Sequence, residues 1–430
     1  MMEGDTKLSL QAKKWVQDAL LDSSKRSKKI VRAQAYSLAR KPSSREQFQH
    51  ARWDGRRILN FAVRDGHRFL CDLLLEELKI NPNLQDSFDD TTPLHHAAAT
   101  GQVEVIELLL NKYFCDIEAK DCGRSTPLCL ATLAGRNAAL QKLLDCGAST
   151  EAQCFLGQPI HIATWGGNIT AIQMFHKANP DVVNSEIHEL CTPLVVASLN
   201  DSNDCFKYLA EVADVSAKHL MYKVICRVSS EESSMERVRI LLDCGVNPNS
   251  YDAVTLFEGP PILCAAKRGW KNLVGILLSF TDEIPGIEWT VDGVMEHVSS
   301  ELFQQTDQEQ GTKRVCALKD RMLRALKDKN YLAADIICKV LYVDMDREEW
   351  DRYHSLCSFL IFYGMKSMFP TPTIDAEAIF ALSWMLGVSK ETERVLLGVK
   401  ACVALEPDNE RYKEFLVHVT KMMEDNNGRK

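Results

Sequence analysis

The sequence predicts an all-α protein: a solenoid of about seven helix–turn–helix units with extended finger loops, followed by a second helical domain. Three observations predict it. A ten-residue pattern recurs at a period near 34 residues. Each copy is followed at a fixed distance by a second apolar helical stretch. Beyond residue 313 that period is lost, while apolar residues keep helical spacing.

The first 51 residues form a basic helical segment ahead of the repeats. Residues 1–68 hold 16 Lys and Arg against 7 Asp and Glu, whereas the whole chain of 430 residues carries a formal charge of −8. The run KRSKK (Lys25–Lys29) fits solvated charge on a helix and leaves an import signal open. The acidic remainder argues against a broad nucleic-acid surface.

Residues 52–283 carry the repeats. TPLHHAAATG at Thr92 becomes TPLCLATLAG at Thr126, QPIHIATWGG at Gln158 and TPLVVASLND at Thr192. Weaker copies are RILNFAVRDG from Arg57 and PPILCAAKRG from Pro260. The starts 57, 92, 126, 158 and 192 lie 35, 34, 32 and 34 residues apart, and 192 to 260 spans two periods. The unit hidden in that gap is marked by VRILLDCGVNPN (Val238–Asn249), which repeats the LLDCGAS of Leu143–Ser149. Its first helix has lost the motif, with SSEESS (Ser229–Ser234) where a compact turn belongs.

Each unit follows one physical logic. Thr can cap orphan amides, and Pro suits the first helical position, where its missing N–H is no loss. Leu points into the stack, and the small Ala pair lets neighbouring helices approach closely. Gly nine residues after Thr supplies a left-handed turn. A second helix such as VEVIELLL follows, then a finger such as DIEAKD (Asp116–Asp121). One unit cannot bury its own apolar face, so stability comes from stacking. Asp201 replaces the turn glycine in the fifth unit, and local irregularity is expected there and in the sixth.

The motif TPLHxAAxxG, with a Leu pair seventeen and eighteen residues after Thr, resembles the ankyrin repeat from roughly Arg52 to Phe280. The resemblance implies protein binding on a concave face made of first helices and fingers. The side chains expected there, just before the turn glycines, are Thr100, Leu133, Trp165 and Leu199, with Lys267 and Arg268 at the far end. An apolar stripe containing Trp and rimmed by charge suits a binding hot spot. Packing of Trp165 onto a neighbouring helix is the alternative. Fingertips Phe88, Asp89, Asp90 and Arg124 are further candidates.

The adjacent histidines His95 and His96 raise the question of a metal or catalytic pair. Alignment of the copies answers it differently for each ring. His95 stands at a position that His161 also fills, with Cys129 and Val195 elsewhere, and is expected to link turns by hydrogen bonds. His96 stands where Leu130, Ile162 and Val196 pack. No neighbouring unit supplies further metal ligands.

Residues 284–313 are expected to form a capping helix (WTVDGVMEHV) and a polar linker, QQTDQEQGTK. Residues 314–430 read as helical. Within them, ALKDKNYLAADIICKVLYVD, with Tyr331 and Ala334, resembles a tetratricopeptide (TPR) unit, and ACVALEPDN, with Pro407, resembles the end of another. Met345 departs from the usual Pro. The order of these pieces resembles a plant family of ankyrin–TPR proteins. Some TPR domains clamp acidic chaperone tails with Lys, Asn and Arg donors. Here only Lys319 matches; Leu323 and Tyr353 fall at the Asn positions, and no Arg partner lies around Phe380. Chaperone-tail binding is therefore disfavoured.

Catalytic signatures are absent: there is no HExxH, phosphate loop, GxSxG or kinase set. DMDREEWD (Asp344–Asp351) lacks the glycine and late Glu of a calcium loop. Cys146 and Cys244 recur in register and read as packing residues. The sequon at Asn168 falls at a helix start inside a repeat. Fifteen cysteines without any CxxC, and no secretory or membrane-spanning stretch, suggest reduced thiols. The expectation is a non-enzymatic interaction scaffold with protein or peptide partners. It needs no metal or cofactor, inserts in no membrane and resides in the cytoplasm, with a nuclear destination left open. The competing reading is a chaperone cofactor acting through the TPR-like region.

Overall fold

The computed structural model describes residues 10–21, 31–37, 56–86, 90–187, 191–198, 203–214, 220–227, 230–249 and 260–341, with isolated positions at 40–53 and 349–361. Helix α1 (Leu10–Leu21) opens the chain, and residues 31–37 are also helical. The Trp15 indole donates to the Val31 carbonyl at 3.0 Å and its ring meets Phe48 edge-on. A two-residue antiparallel hairpin, β1 (Arg52–Trp53) with β2 (Arg56–Arg57), is the one departure from all-α structure among the named elements.

Among the described residues, seven helix pairs follow. They are α2 (Ile58–Arg64) with α3 (Arg68–Asp72), α4 (Pro93–Thr100) with α5 (Val103–Glu107), and α6 (Pro127–Leu133) with α7 (Asn137–Asp145). Next come α8 (Pro159–Trp165) with α9 (Ile169–Ala178), and α10 (Pro193–Ala197) with α11 (Asn203–Val212). The last two pairs are α12 (Leu220–Arg227) with α13 (Glu231–Asp243), and α14 (Pro261–Lys267) with α15 (Lys271–Leu278). The sixth pair, whose motif had decayed, is therefore present.

The chain divides into two compact units, the first built on residues up to Cys154 and the second on Phe155–Ile172 and residues from Asn179 onward. Within the first unit, α2, α4 and α6 pack side by side. Ala97, Ala98 and Ala131 are fully buried there, as the close approach of first helices requires. Each pair is also tied to the next through polar side chains. Gln102 Nε2 donates to the Arg64 carbonyl and Arg136 Nε to the Ala99 carbonyl, both at 3.4 Å. Asn83 Oδ1 accepts from the Asp116 amide at 3.1 Å, and Glu118 Oε1 from the Ser149 amide at 2.7 Å.

Four of the second helices end in two different ways. α7 and α13 stop at LLDCG, where Gly147 and Gly245 take a left-handed conformation. α3 and α5 run on instead as π-helical turns over Leu73–Glu77 and Leu108–Lys112. In those two the left-handed position falls to Lys79 (φ 54°) and Phe114 (φ 49°). The left-handed residue comes five positions after Leu74 and Leu109 but four after Leu143 and Leu241, and the wider turn takes up the extra residue.

In the second unit, α10, α12 and α14 form the corresponding row. α10 is short, and residues 199–202, which include Asp201, lie outside the described residues. The Arg237 guanidinium from α13 is buried and donates to the Ser198 carbonyl at 2.6 Å. A cation thus meets a carbonyl end of α10 where no glycine turn is encoded. α16 (Val291–Ser299), the expected capping helix, packs on α14 and α15, with Thr290 Oγ1 accepting from Gly293 N at 3.0 Å.

The expected linker at 304–313 differs. α17 (Glu301–Lys327) runs unbroken through QQTDQEQGTK. Gln, Glu and Lys are good helix formers, and a single Gly311 is tolerated inside a long helix. Lys329, at φ 57°, turns the chain into α18 (Tyr331–Leu341), which packs along α17. Residues beyond 361, including Pro407 and the second TPR-like piece, lie outside the described residues.

Candidate functional site

The histidines resolve as the copies imply. The His95 Nδ1 accepts from the Thr92 amide at 3.1 Å, with the Thr92 hydroxyl at 2.8 Å. Nε2 must then carry the proton, and it donates to the Ser125 carbonyl of the next finger at 2.9 Å. His161 repeats the second bond to Cys191 at 3.1 Å. Cys129, in the same slot, keeps both roles with sulfur. It accepts from Thr126 Oγ1 at 3.4 Å and lies 3.8 Å from the Ala152 carbonyl. His96 Nε2 is 3.1 Å from Thr91 Oγ1. Burial pushes all three imidazoles down to about 4, so they are neutral at pH 7.

Burial likewise pushes the thiols of Cys71 and Cys115 up to about 12, which leaves them protonated and unreactive. Among the described residues, no group of three or more His, Cys, Asp or Glu side chains is arranged to hold a metal ion. None of their helices is long and apolar enough to cross a membrane.

The surface candidates separate by unit. In the first, Leu133 and Thr100 end their helices half-buried. The Thr100 hydroxyl turns inward and donates to the His96 carbonyl at 2.8 Å. Asp90 and Arg124 are exposed at left-handed fingertips, at φ 57° and 62°. The Arg124 tip is held by Asp121, whose Oδ1 accepts from Gly123 N at 2.9 Å and Ser125 N at 2.7 Å. Phe88, Asp89 and Leu199 lie outside the described residues.

In the second unit, Trp165 is half-buried at the end of α8. The two basic candidates are engaged within the chain. Arg268 lies 4.6 Å over the Trp270 ring, and the Lys267 ammonium lies 5.4 Å over the ring of Phe303, which belongs to α17. Both are half-buried, and each lies against a neighbouring aromatic face.

Among the described residues, Phe303 is one of the places where the helical hairpin α17–α18 meets the array. α18 packs against α12, a first helix. Its N-terminus meets the finger of the fourth pair, where the Phe155 carbonyl accepts from the amides of Tyr331 at 2.8 Å and Leu332 at 3.4 Å. Asn330, the N-cap, accepts from the Ala333 amide through Oδ1 at 3.1 Å, and its own amide donates to the Ala325 carbonyl at 2.9 Å. All four orphan donors of α18 are thereby satisfied, half of them by the array. The Phe155 and Tyr331 rings lie 6.0 Å apart, and Phe155 is 3% exposed. Sequence reading missed Phe155. Its signal is the apolar tip Cys154-Phe155-Leu156, in place of the polar Cys122-Gly123-Arg124 one unit earlier.

Lys319, the one residue matching an acidic-tail clamp, is paired with Glu349. Leu323, at a clamp Asn position, is 40% exposed.

A family model described as ankyrin repeats, in three copies, matches residues 59–154. The chain is 39% identical over 75 residues to the 26S proteasome non-ATPase regulatory subunit 10 of Dictyostelium discoideum, which covers 17% of this chain and 32% of that protein. It is 30% identical over 135 residues to neurogenic locus notch homolog protein 1 of Danio rerio, covering 31% of this chain and 6% of that one. The chain thus spans a third or less of the length of these relatives. The human ASB11 ankyrin repeat domain is 25% identical, with a TM-score of 0.44, covering 53% of this chain and 100% of that chain.

Proposed function

We propose that this ankyrin-repeat protein is a non-enzymatic scaffold that binds partner proteins or peptides through the concave face of its repeats. The observation that carries the reading is the family match over residues 59–154, the stretch that contains Thr100, Leu133, Asp90 and Arg124. Leu133 is the apolar element of that surface, and Arg124 and Asp90 are its charged rim. A non-enzymatic role is supported by chemistry already committed to structure, since His95, His96 and His161 are buried, neutral and hydrogen-bonded. We place its action in the cytoplasm, a reading that goes with fifteen cysteines and no CxxC in the sequence.

We read the C-terminal part as TPR-like in pattern, with α17 and α18 as its one described hairpin. Acidic-tail clamping is not part of this reading, because Lys319 is spent on Glu349 and Leu323 offers no donor. The test is proximity labelling in cells with the wild type and with Leu133→Asp combined with Arg124→Glu, folding being checked by circular dichroism. Loss of specific neighbours from the folded variant is expected; an unchanged set would remove the concave-face reading.

A further inference from the structure

We infer that the concave face of the second unit is a helix-binding surface whose present occupant is the chain's own hairpin, α17–α18, held as a tethered and releasable ligand. This deepens the scaffold reading and rests on it. Among the described residues, the hairpin meets a fingertip carbonyl (Phe155), a first helix (α12) and the end of another first helix (Lys267). Those are the elements from which a repeat array builds its binding face.

The array beneath does not need the hairpin for its own stacking, because α10, α12 and α14 already pack consecutively and α16 closes the far end. The hairpin has its own internal partner surface, since α17 and α18 pack along each other. Separating hairpin from array breaks the α12–α18 packing, while the packing of α17 along α18 and of α12 on α14 remains. α18 buries Leu332, Ala333, Ile336 and Ile337, and α12, which packs on it, buries Leu220, Met221, Val224 and Ile225. A competing partner must match that chemistry: an amphipathic helix whose first turn carries an aromatic and a branched aliphatic residue, with two free amides for the Phe155 carbonyl. Release would uncover Phe155 and free Lys267 from Phe303.

Amide hydrogen exchange of the full chain, with no partner present, tests release by itself. Residues 331–341 should exchange at least about tenfold faster than residues 262–277, through an opening that leaves the array protected. Phe155→Ala should quicken exchange at 331–341 by about a further tenfold and leave 94–100 and 262–277 unchanged. If that variant does not fold, Tyr331→Ala tests the same contact from the hairpin side. A labelled peptide of residues 301–341 should bind the full-length Leu332→Asp protein at least about tenfold more tightly than the wild type. Exchange of hairpin and array at one common rate, or equal peptide affinity for both proteins, would overturn the inference. Because neither measurement uses a cellular partner, such a failure leaves the reading of Leu133 and Arg124 standing.

Discussion

His95 Nε2 and the Ser125 carbonyl, thirty residues apart, are joined at 2.9 Å inside the first unit, and neither is exposed to solvent. A neutral imidazole is the only form that satisfies this geometry while Nδ1 accepts from Thr92. The repeat thus uses histidine as a fixed two-ended connector, with no proton to exchange near neutrality.

That arrangement makes stability depend on pH with a definite sign. The folded-state values of His95, His96 and His161 lie near 4, below the ordinary 6.5. The unfolded chain therefore binds more protons as pH falls, and stability is full above about 6.5. It declines through the window from about 6.5 to about 4, each histidine contributing up to about 1.4 kcal/mol per pH unit. Urea denaturation at pH 7.5, 6, 5 and 4.5 should show this fall, and His96→Leu should flatten part of it. A slope unchanged by His96→Leu would contradict the assignment.

Arg237 makes the fifth pair depend on a side chain from the sixth. Arg237→Met should destabilise the second unit by about 3 kcal/mol, the order expected when a buried charged hydrogen bond to a carbonyl is removed. Loss of less than 1 kcal/mol in urea would mean the Ser198 carbonyl finds another donor.

Phe114 is 81% exposed and sits at φ 49°, where Gly147 and Gly245 stand in sister units. Phe114→Gly should raise stability by about 1 kcal/mol, the left-handed penalty being relieved with little packing lost. A fall in Tm would show that the ring contributes more than its exposure implies.

Two glycines allow strain to be separated from crowding. Both Gly147 (φ 87°) and Gly157 (φ 88°) are left-handed, but only at Gly157 would a Cβ meet a neighbour, Ile187 Cδ1, at 2.7 Å. Gly147→Ala should cost about 1 kcal/mol for the backbone alone. Gly157→Ala should cost about 2–3 kcal/mol, because a buried side chain must also move. Equal losses in parallel urea titrations would contradict the crowding term.

The repeat units were legible because each residue of TPLHHAAATG has one mechanical duty, and the duties survive substitution. Cys129 does in sulfur what His95 does with a ring, so register alone located it. The sixth pair was found through LLDCG although its first helix had lost the pattern. Legibility failed where a residue answers to something distant in the chain. Nothing local tells that Lys267 lies over Phe303, or that Phe155 receives α18. QQTDQEQGTK misled for another reason: polarity suggested a linker, while side chains of high helix propensity carried α17 through it.

Starting a helix is costly, since several residues must be fixed before the first bond forms. For α18, two of the four starting amides are received by a carbonyl that lies far earlier in the chain, on Phe155. During synthesis the array emerges first and can fold before residue 331 leaves the ribosome. The Phe155 carbonyl is then in place to receive the amides of Tyr331 and Leu332 as that segment emerges.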